Sequence, residues 1–346
     1  MLTTVVSGRT YDFSHTVGAL GYMQSPVAVE CGTGDSVYVL SRQYEVAKEG
    51  PWNKTALWAQ INKLSIGNEW GTEEHLGKIG RYGNGEGELI WPAGFVLNGN
   101  GSVFVTDEWM NRISRFTVDG EFEFTWGTEG EGDGEFNGPS GITMDSNGDL
   151  LVVDSLNHRI QKFGPDGVFK MKFGSLGSAP GELDSPWGIT VDSQDNIYVA
   201  DHKNHRVQKF DSSGNLLGSF GSYGSGGKGQ LNRPSDVAVD PDGDVYVCDW
   251  ANNRVQIFGE NGKFITSLLG DAHELSKWQK QVVDSNRDVV KARRRVSTME
   301  PEWRFSLPAG LTFDKNKFRL IVADSQRGRV QIYNKVKDYM EPQFNL

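Results

Sequence analysis

The chain is poor in cysteine, in long apolar runs and in positive charge. Only Cys31 and Cys248 occur in 346 residues, too few for a disulfide scaffold or a cysteine-rich zinc module. No apolar run approaches the ~20 residues that a membrane-crossing helix needs. Lys and Arg number 35 against 45 Asp and Glu, a net charge of −10. That sign disfavours nucleic acid and anionic lipid as partners, because both demand a basic face. The first residues, MLTTVVSGRTYDFSH, lack the charged and apolar sections of a secretory signal, so a cytoplasmic location is expected. Glycine, in contrast, is abundant, with 43 copies. They do not fall at every third position, and 37% of the residues are hydrophobic, so neither collagen nor a disordered chain fits.

So many glycines in a folded chain imply many turns, and the turns belong to repeats. Four copies are plain, at 91–127, 138–174, 185–221 and 233–270, with degenerate copies at 25–80 and 307–334. Each copy opens on a marker proline: Pro26, Pro92, Pro139, Pro186, Pro234 and Pro308. The central steps are 47, 47 and 48 residues and the outer ones 66 and 74, which places insertions in the first and last intervals. Each copy holds four short segments rich in Val, Ile, Phe and Tyr. Asn-Gly, Asp-Gly or Ser-Gly turns separate many of them, as in consecutive β-hairpins. Four antiparallel strands per copy make one propeller blade, so the expected fold is all-β, a single six-bladed propeller. The last copy runs out after its third strand. A candidate strand at 3–13 is expected to complete it and close the ring, hiding its edges.

The core of each copy is a strand ending in Asp, then Asn and Arg, then another strand: VTDEWMNRISRF, VVDSLNHRIQKF, VADHKNHRVQKF, VCDWANNRVQIF and VADSQRGRVQIY. This pattern resembles the NHL-repeat family. The resemblance implies the propeller fold and leaves function open, because the fold hosts enzymes, scaffolds and RNA binders.

Residues present in every blade read as scaffold. Asp107, Asp154, Asp201, Asp249 and Asp324 are each followed five positions later by an arginine: Arg112, Arg159, Arg206, Arg254 and Arg329. A pair repeated in this way ties hairpins and blades together by charge-assisted hydrogen bonds. In the first blade Ser41 and Gln60 replace both partners. DPDGD at 240–244 looks like the start of a calcium loop. It aligns with other hairpin turns and lacks the distal Glu, so a turn is the favoured reading. GSYGSGGKG at 221–229 aligns with inter-blade linkers rather than a phosphate cradle. His158 and His205 share one repeat position and read as hydrogen-bonding residues.

Function belongs where the repeat symmetry breaks. Insertions at about 43–58 and at 271–306, the second partly helical, leave from one predicted face and are expected to form a lid. Eight of the ten tryptophans fall in the insertions or at positions on that face, which suggests an aromatic pocket. Candidate ligand-binding residues are Trp91, Trp109, Trp187, Trp250, Arg42, Tyr44, Lys203 and His273. Candidate catalytic residues are His202, Asp236 and Glu108. Asp236 replaces a glycine of the other blades, and His202 of the adjacent blade is expected to pair with it as an acid–base dyad.

Peptidyl-hydroxyglycine amidating lyase, a related propeller, places zinc-binding His after the marker proline. Here those positions are Val27, Ala93, Ser140, Trp187, Ser235 and Ala309, so no metal and no cofactor is assigned. A site built from His202, His273 and Asp236 is a minor alternative. The expected function is a small-molecule enzyme or binding protein of lyase, hydrolase or isomerase type, working by metal-independent acid–base chemistry. The alternative is a non-catalytic propeller that binds a protein or peptide.

Overall fold

The computed structural model describes residues 3–6, 8–18, 23–42, 46–47, 54–55 and 59–336. Six antiparallel sheets follow one another around a ring. Blade 2 is representative. Its strands are Pro92–Leu97, Ser102–Asp107, Arg112–Thr117 and Phe122–Trp126, in sequence order from the axis outward. The second strand is buried along its whole length, whereas the fourth alternates half-buried and exposed residues. Period-2 alternation with one wet face is what an outermost strand shows.

The turns follow from sequence. Between the first two strands of blade 3, Asp145 Oδ1 accepts from the backbone N–H of Asn147 (2.9 Å) and Asp149 (3.0 Å). Gly148 there has φ +80°, a left-handed conformation that glycine takes without steric cost. The calcium-like DPDGD segment is the same turn. Asp240 accepts from Asp242 and Asp244 N–H, and the Lys335 ammonium sits among the three aspartates at 2.5, 2.8 and 2.9 Å.

The recurring Asp and Arg are a clamp. Asp154 Oδ1 accepts from Asn137 N–H of the incoming linker (2.7 Å), and its Oδ2 accepts from Arg159 Nε (2.7 Å). Arg159 also donates to three linker carbonyls, of Glu131, Gly132 and Glu135. The Asp–Arg pair recurs in blades 4, 5 and 6. In blade 2, Arg112 instead donates to the carbonyls of Gly85 and Glu88. Apolar side chains fill the wedges between blades. Phe104, Phe136, Phe163 and Val152 form one such cluster. Cys31 and Cys248 are unpaired.

The ring closes through the N-terminal segment, with a boundary different from the expected strand over 3–13. That span is a hairpin of Thr3–Val6 and Arg9–Val17, turned at Gly8. Arg9–Val17 pairs with Arg329–Val336 as the fourth strand of blade 6, and Thr3–Val6 adds a fifth. Arg9 grips Asp244 of blade 5 through two bonds (2.5 and 2.7 Å), and Tyr11 Oη meets Tyr246 Oη at 3.2 Å. On the other side, His15 Nε2 donates to the Ile66 carbonyl of blade 1 (2.8 Å).

The 271–306 segment is partly helical, as expected, with α1 (Lys277–Ser285), α2 (Arg287–Arg293) and α3 (Glu300–Trp303). None of its residues lines the central cavity. Lys277 bonds Glu73 of blade 1, Gln279 donates to the Arg327 carbonyl, and Trp278 packs on Val17, Met23 and Val29. The segment is a strap at the junction of blades 6 and 1. Of the first insertion, Val46–Ala47 and Lys54–Thr55 form a two-stranded ladder. The rest of it, with Tyr44, Trp52 and Trp58, lies outside the described residues. No helix among the described residues is long and apolar enough to cross a membrane.

The closure assigns different weights to the two N-terminal strands. Removing residues 1–6 leaves the ring paired and should barely move the melting temperature. Removing 1–17 takes away buried Tyr11, Phe13 and Val17. At ~1.5–3 kcal/mol per buried side chain, that should lower melting by on the order of 10 °C. Differential scanning calorimetry of the two truncations checks this.

Candidate functional site

The inner strands of all six blades enclose a central cavity of about 630 Å3, a size typical of small-molecule sites. Five of the six inner strands begin at the marker proline, and that of blade 4, Ile189–Val191, begins three residues after Pro186. Equivalent positions after the proline form rings at successive depths. The ring after the proline is Val27, Ala93, Ser140, Trp187, Ser235 and Ala309. The next is Ala28, Gly94, Gly141, Gly188, Asp236 and Gly310. Neighbouring inner strands run so close here that a Cβ on Gly141 would lie 2.4 Å from the Trp187 carbonyl oxygen. Asp236 breaks this small-residue ring. Its Oδ2 accepts from Leu311 N–H of blade 6 (2.9 Å) and its Oδ1 from Val237 N–H (2.9 Å).

Two residues deeper, the ring is Glu30, Val96, Thr143, Thr190, Ala238 and Thr312. Glu30 lines the cavity and its Oε2 accepts from Thr312 Oγ1 (3.3 Å). Glu30 of blade 1 and Asp236 of blade 5 thus flank the inner strand of blade 6. Burial raises both carboxyls, Asp236 to about 7 against the pull of its two N–H donors, and Glu30 to about 8. The nearby Asp236 charge adds to the effect of burial on Glu30. Glu30 is absent from the sequence-derived candidates. The signal was available at the fourth residue after each marker proline, where one copy carries a carboxylate and the others Thr, Val or Ala.

The residue following each strand-ending Asp or its replacement is Arg42, Glu108, Ser155, His202, Trp250 or Ser325, and of these Arg42 and Glu108 line the mouth of the cavity. Arg42 Nη1 lies 3.3 Å from Glu108 Oε2, with its guanidinium over the Trp91 ring at 4.7 Å. All three line the cavity. Across the mouth, Trp187 stacks on His202 (3.8 Å between ring centres, 21° between planes) and meets Trp250 edge-on at 5.9 Å.

The expected His202–Asp236 dyad does not form. His202 Nδ1 donates to the Pro234 carbonyl (3.1 Å), while Asp236 is taken up by backbone N–H groups. Burial lowers His202 to about 4, so its ring is neutral. His202 lies outside the cavity wall and holds the Trp187 ring in place. Trp250 stands behind Trp187, also off the wall. Lys203 is exposed, 3.8 Å from Asp184. His273 is exposed beside Phe13 of the closing strand, so it joins neither the mouth nor a metal set with His202 and Asp236. No group of three or more His, Cys, Asp or Glu placed to hold a metal occurs among the described residues. Trp109 is 72% exposed and does not line the cavity. Of the described tryptophans, Trp91 and Trp187 line it.

The NHL repeat pattern matches residues 136–163, 183–210 and 231–258, within blades 3, 4 and 5. No curated protein matches the chain. Among solved structures, virginiamycin B lyase from Staphylococcus aureus, in a catalytically inactive histidine-to-alanine variant with quinupristin, superposes with TM-score 0.54 at 14% identity, covering 94% of this chain and 100% of that one. A streptogramin B lyase gives 0.55 at 14% identity, covering 96% and 100%. A Bacteroides thetaiotaomicron protein of unknown function gives 0.60 at 14% identity, covering 95% and 76%. At this identity the likeness concerns the fold.

The raised carboxyl of Glu30 ties stability to pH. Its ordinary value is 4.5 and its folded value about 8. The folded chain therefore binds the proton more tightly than the unfolded one. The stability this contributes is complete below 4.5 and is lost as pH rises to about 8. Glu30→Gln keeps the neutral shape and removes the titration. Its melting temperature should fall less than that of the wild type between those two pH values, measured by thermal denaturation at matched ionic strength.

Proposed function

We propose that this six-bladed β-propeller, with NHL repeats in blades 3, 4 and 5, is a small-molecule enzyme or binding protein whose ligand enters the central channel. We place the chemistry on Glu30 and Asp236. The observation that carries the reading is the convergence of these two carboxyls, from opposite sides of blade 6, on one central cavity. With both carboxyls raised into the neutral range, the pair can hold one proton between them. That is the pairing a proton abstraction coupled to leaving-group protonation needs, as in lyase, hydrolase or isomerase chemistry. Asp236 takes the role of base and Glu30 that of acid. Trp91 and Trp187 supply apolar wall, and the Arg42–Glu108 pair stands at the entrance. The lyases among the structural neighbours agree in reaction class with this reading and contribute nothing further to it. Two unpaired thiols suit a reducing compartment, which supports a cytoplasmic setting.

A second reading rests on Trp109. A tryptophan exposed at 72% beside the mouth suits a protein or peptide partner laid across this face.

Untargeted mass spectrometry of small molecules retained by the purified protein separates the two. A compound retained by the wild type and released by Trp187→Ala supports the channel, provided the variant melts within a few degrees of the parent. Once turnover is found, Glu30→Gln or Asp236→Asn should reduce kcat/KM by about 100-fold or more, the usual contribution of general acid–base groups. Retention or turnover that is indifferent to the channel variants but lost in Trp109→Ser favours the second reading.

A further inference from the structure

We infer that the channel recognises an organic cation, a primary ammonium group joined by a short chain to a planar ring. This rests on the small-molecule reading above and names its ligand class.

The cavity wall carries the carboxyls of Glu30, Asp236, Asp314 and Glu108, and the cations Arg42 and Lys315. Asp314 is paired with Arg319 at 3.0 Å, and Glu108 with Arg42. Glu30 and Asp236 are different. Among the described residues, no Lys, Arg or His forms an ion pair with either. Their hydrogen-bond donors are neutral: the Thr312 hydroxyl and the N–H groups of Leu311 and Val237. Elsewhere in this chain a deep aspartate usually has its cation, as Asp240 has Lys335 and Asp154 has Arg159. Glu30 feels the Lys315 charge only from beyond ion-pair distance, and two carboxyls facing the cavity with no ion-pair partner favour a ligand that brings a cation.

Ligand length follows from what surrounds Asp236. A Cβ on Gly188 would lie 2.3 Å from Asp236 Oδ1. The carboxyl therefore sits against the residue that directly follows Trp187. His202 covers one face of the Trp187 ring, and the indole's cavity side is what remains for a ligand. A ring against Trp187 and an ammonium at the carboxyls are joined by only a few bonds. The indole also attracts the cation itself. An anionic ligand of the same shape meets two carboxyls and is repelled.

Isothermal titration with three probes of one shape tests this: phenethylamine, phenethyl alcohol and hydrocinnamate. The amine should bind and hydrocinnamate should not. Its affinity should rise by about tenfold or more between about pH 6 and about pH 8.5, because the amine stays protonated while the carboxyls ionise. Protons should be released on binding, read as a heat that changes with the buffer's ionisation enthalpy. Glu30→Gln should weaken the amine by about tenfold or more, the counterpart of at least one pKa unit of lost interaction. Asp236→Gly, which restores the residue of four of the other five blades, should do the same, and serves as a second variant if Asp236→Asn misfolds. If hydrocinnamate or the alcohol binds instead, and Trp187→Ala abolishes it, the small-molecule reading stands and the cation inference falls. Amine binding that neither carboxyl variant changes also overturns it. If no probe binds at millimolar concentration, the inference is overturned, while a metabolite retained by the wild type and lost in Trp187→Ala keeps the channel reading alive.

Discussion

The clamp between strand-ending aspartate, arginine and the incoming linker is the constraint on which the molecule depends. Asp154 and Arg159 lock the second and third strands of their blade and simultaneously hold the linker from the blade before. Their bonds are buried and charge-assisted, so each replaces the hydration of two ions by fixed partners. With that geometry repeated in blades 3 to 6, the residue after the aspartate takes an equivalent place in each of these blades and the residues after the proline line the axis. The scaffold fixes where side chains point and leaves their identity free. Arg42, Glu108, His202 and Trp250 all occupy one repeat position and do four different things.

Ring closure is the second condition, and it is met by side chains of several kinds. The closing strand Arg9–Val17 completes blade 6 through the backbone and fastens to blade 5 through Arg9, Tyr11 and the neighbouring Lys335. Lys335 takes the place that Lys162 and Lys209 hold within their own blades, beside Asp145 and Asp192. Blade 5 has Ile257 at that point, so its aspartate turn borrows a cation from the next blade. The same exchange that stabilises the turn also binds the last blade to the fifth.

The sequence made the fold legible because each blade repeats its marker proline, its strand-ending Asp and its Arg. It also exposed the strand missing from the last copy. The strand boundary was less legible, because TTVVSGRTYDFSHTV is apolar enough to be one strand and folds at Gly8 into two. The site was legible in part. Asp236, Glu108, Arg42, Trp91 and Trp187 line the cavity, and each stood out by breaking a repeat. His202 also broke the repeat, yet it buttresses Trp187, since its Nδ1–H is spent on a carbonyl two residues before Asp236. His273 and the 271–306 segment were misplaced because an insertion's point of departure does not fix where it packs. Here Trp278 and Lys277 carry it to the blade 6–blade 1 junction. Glu30 escaped notice because it stands beyond the short window after each proline in which differences were sought.

The central claim is that Glu30 and Asp236 share the retention of a proton in the channel near neutral pH. Carbon-detected NMR of 13C-labelled carboxyl groups, assigned by loss of signal in Glu30→Gln and Asp236→Gly, reads this directly. The account predicts titration midpoints of about 8 for Glu30 and about 7 for Asp236. Midpoints near the ordinary values of 4.5 and 3.8 for both groups would contradict it.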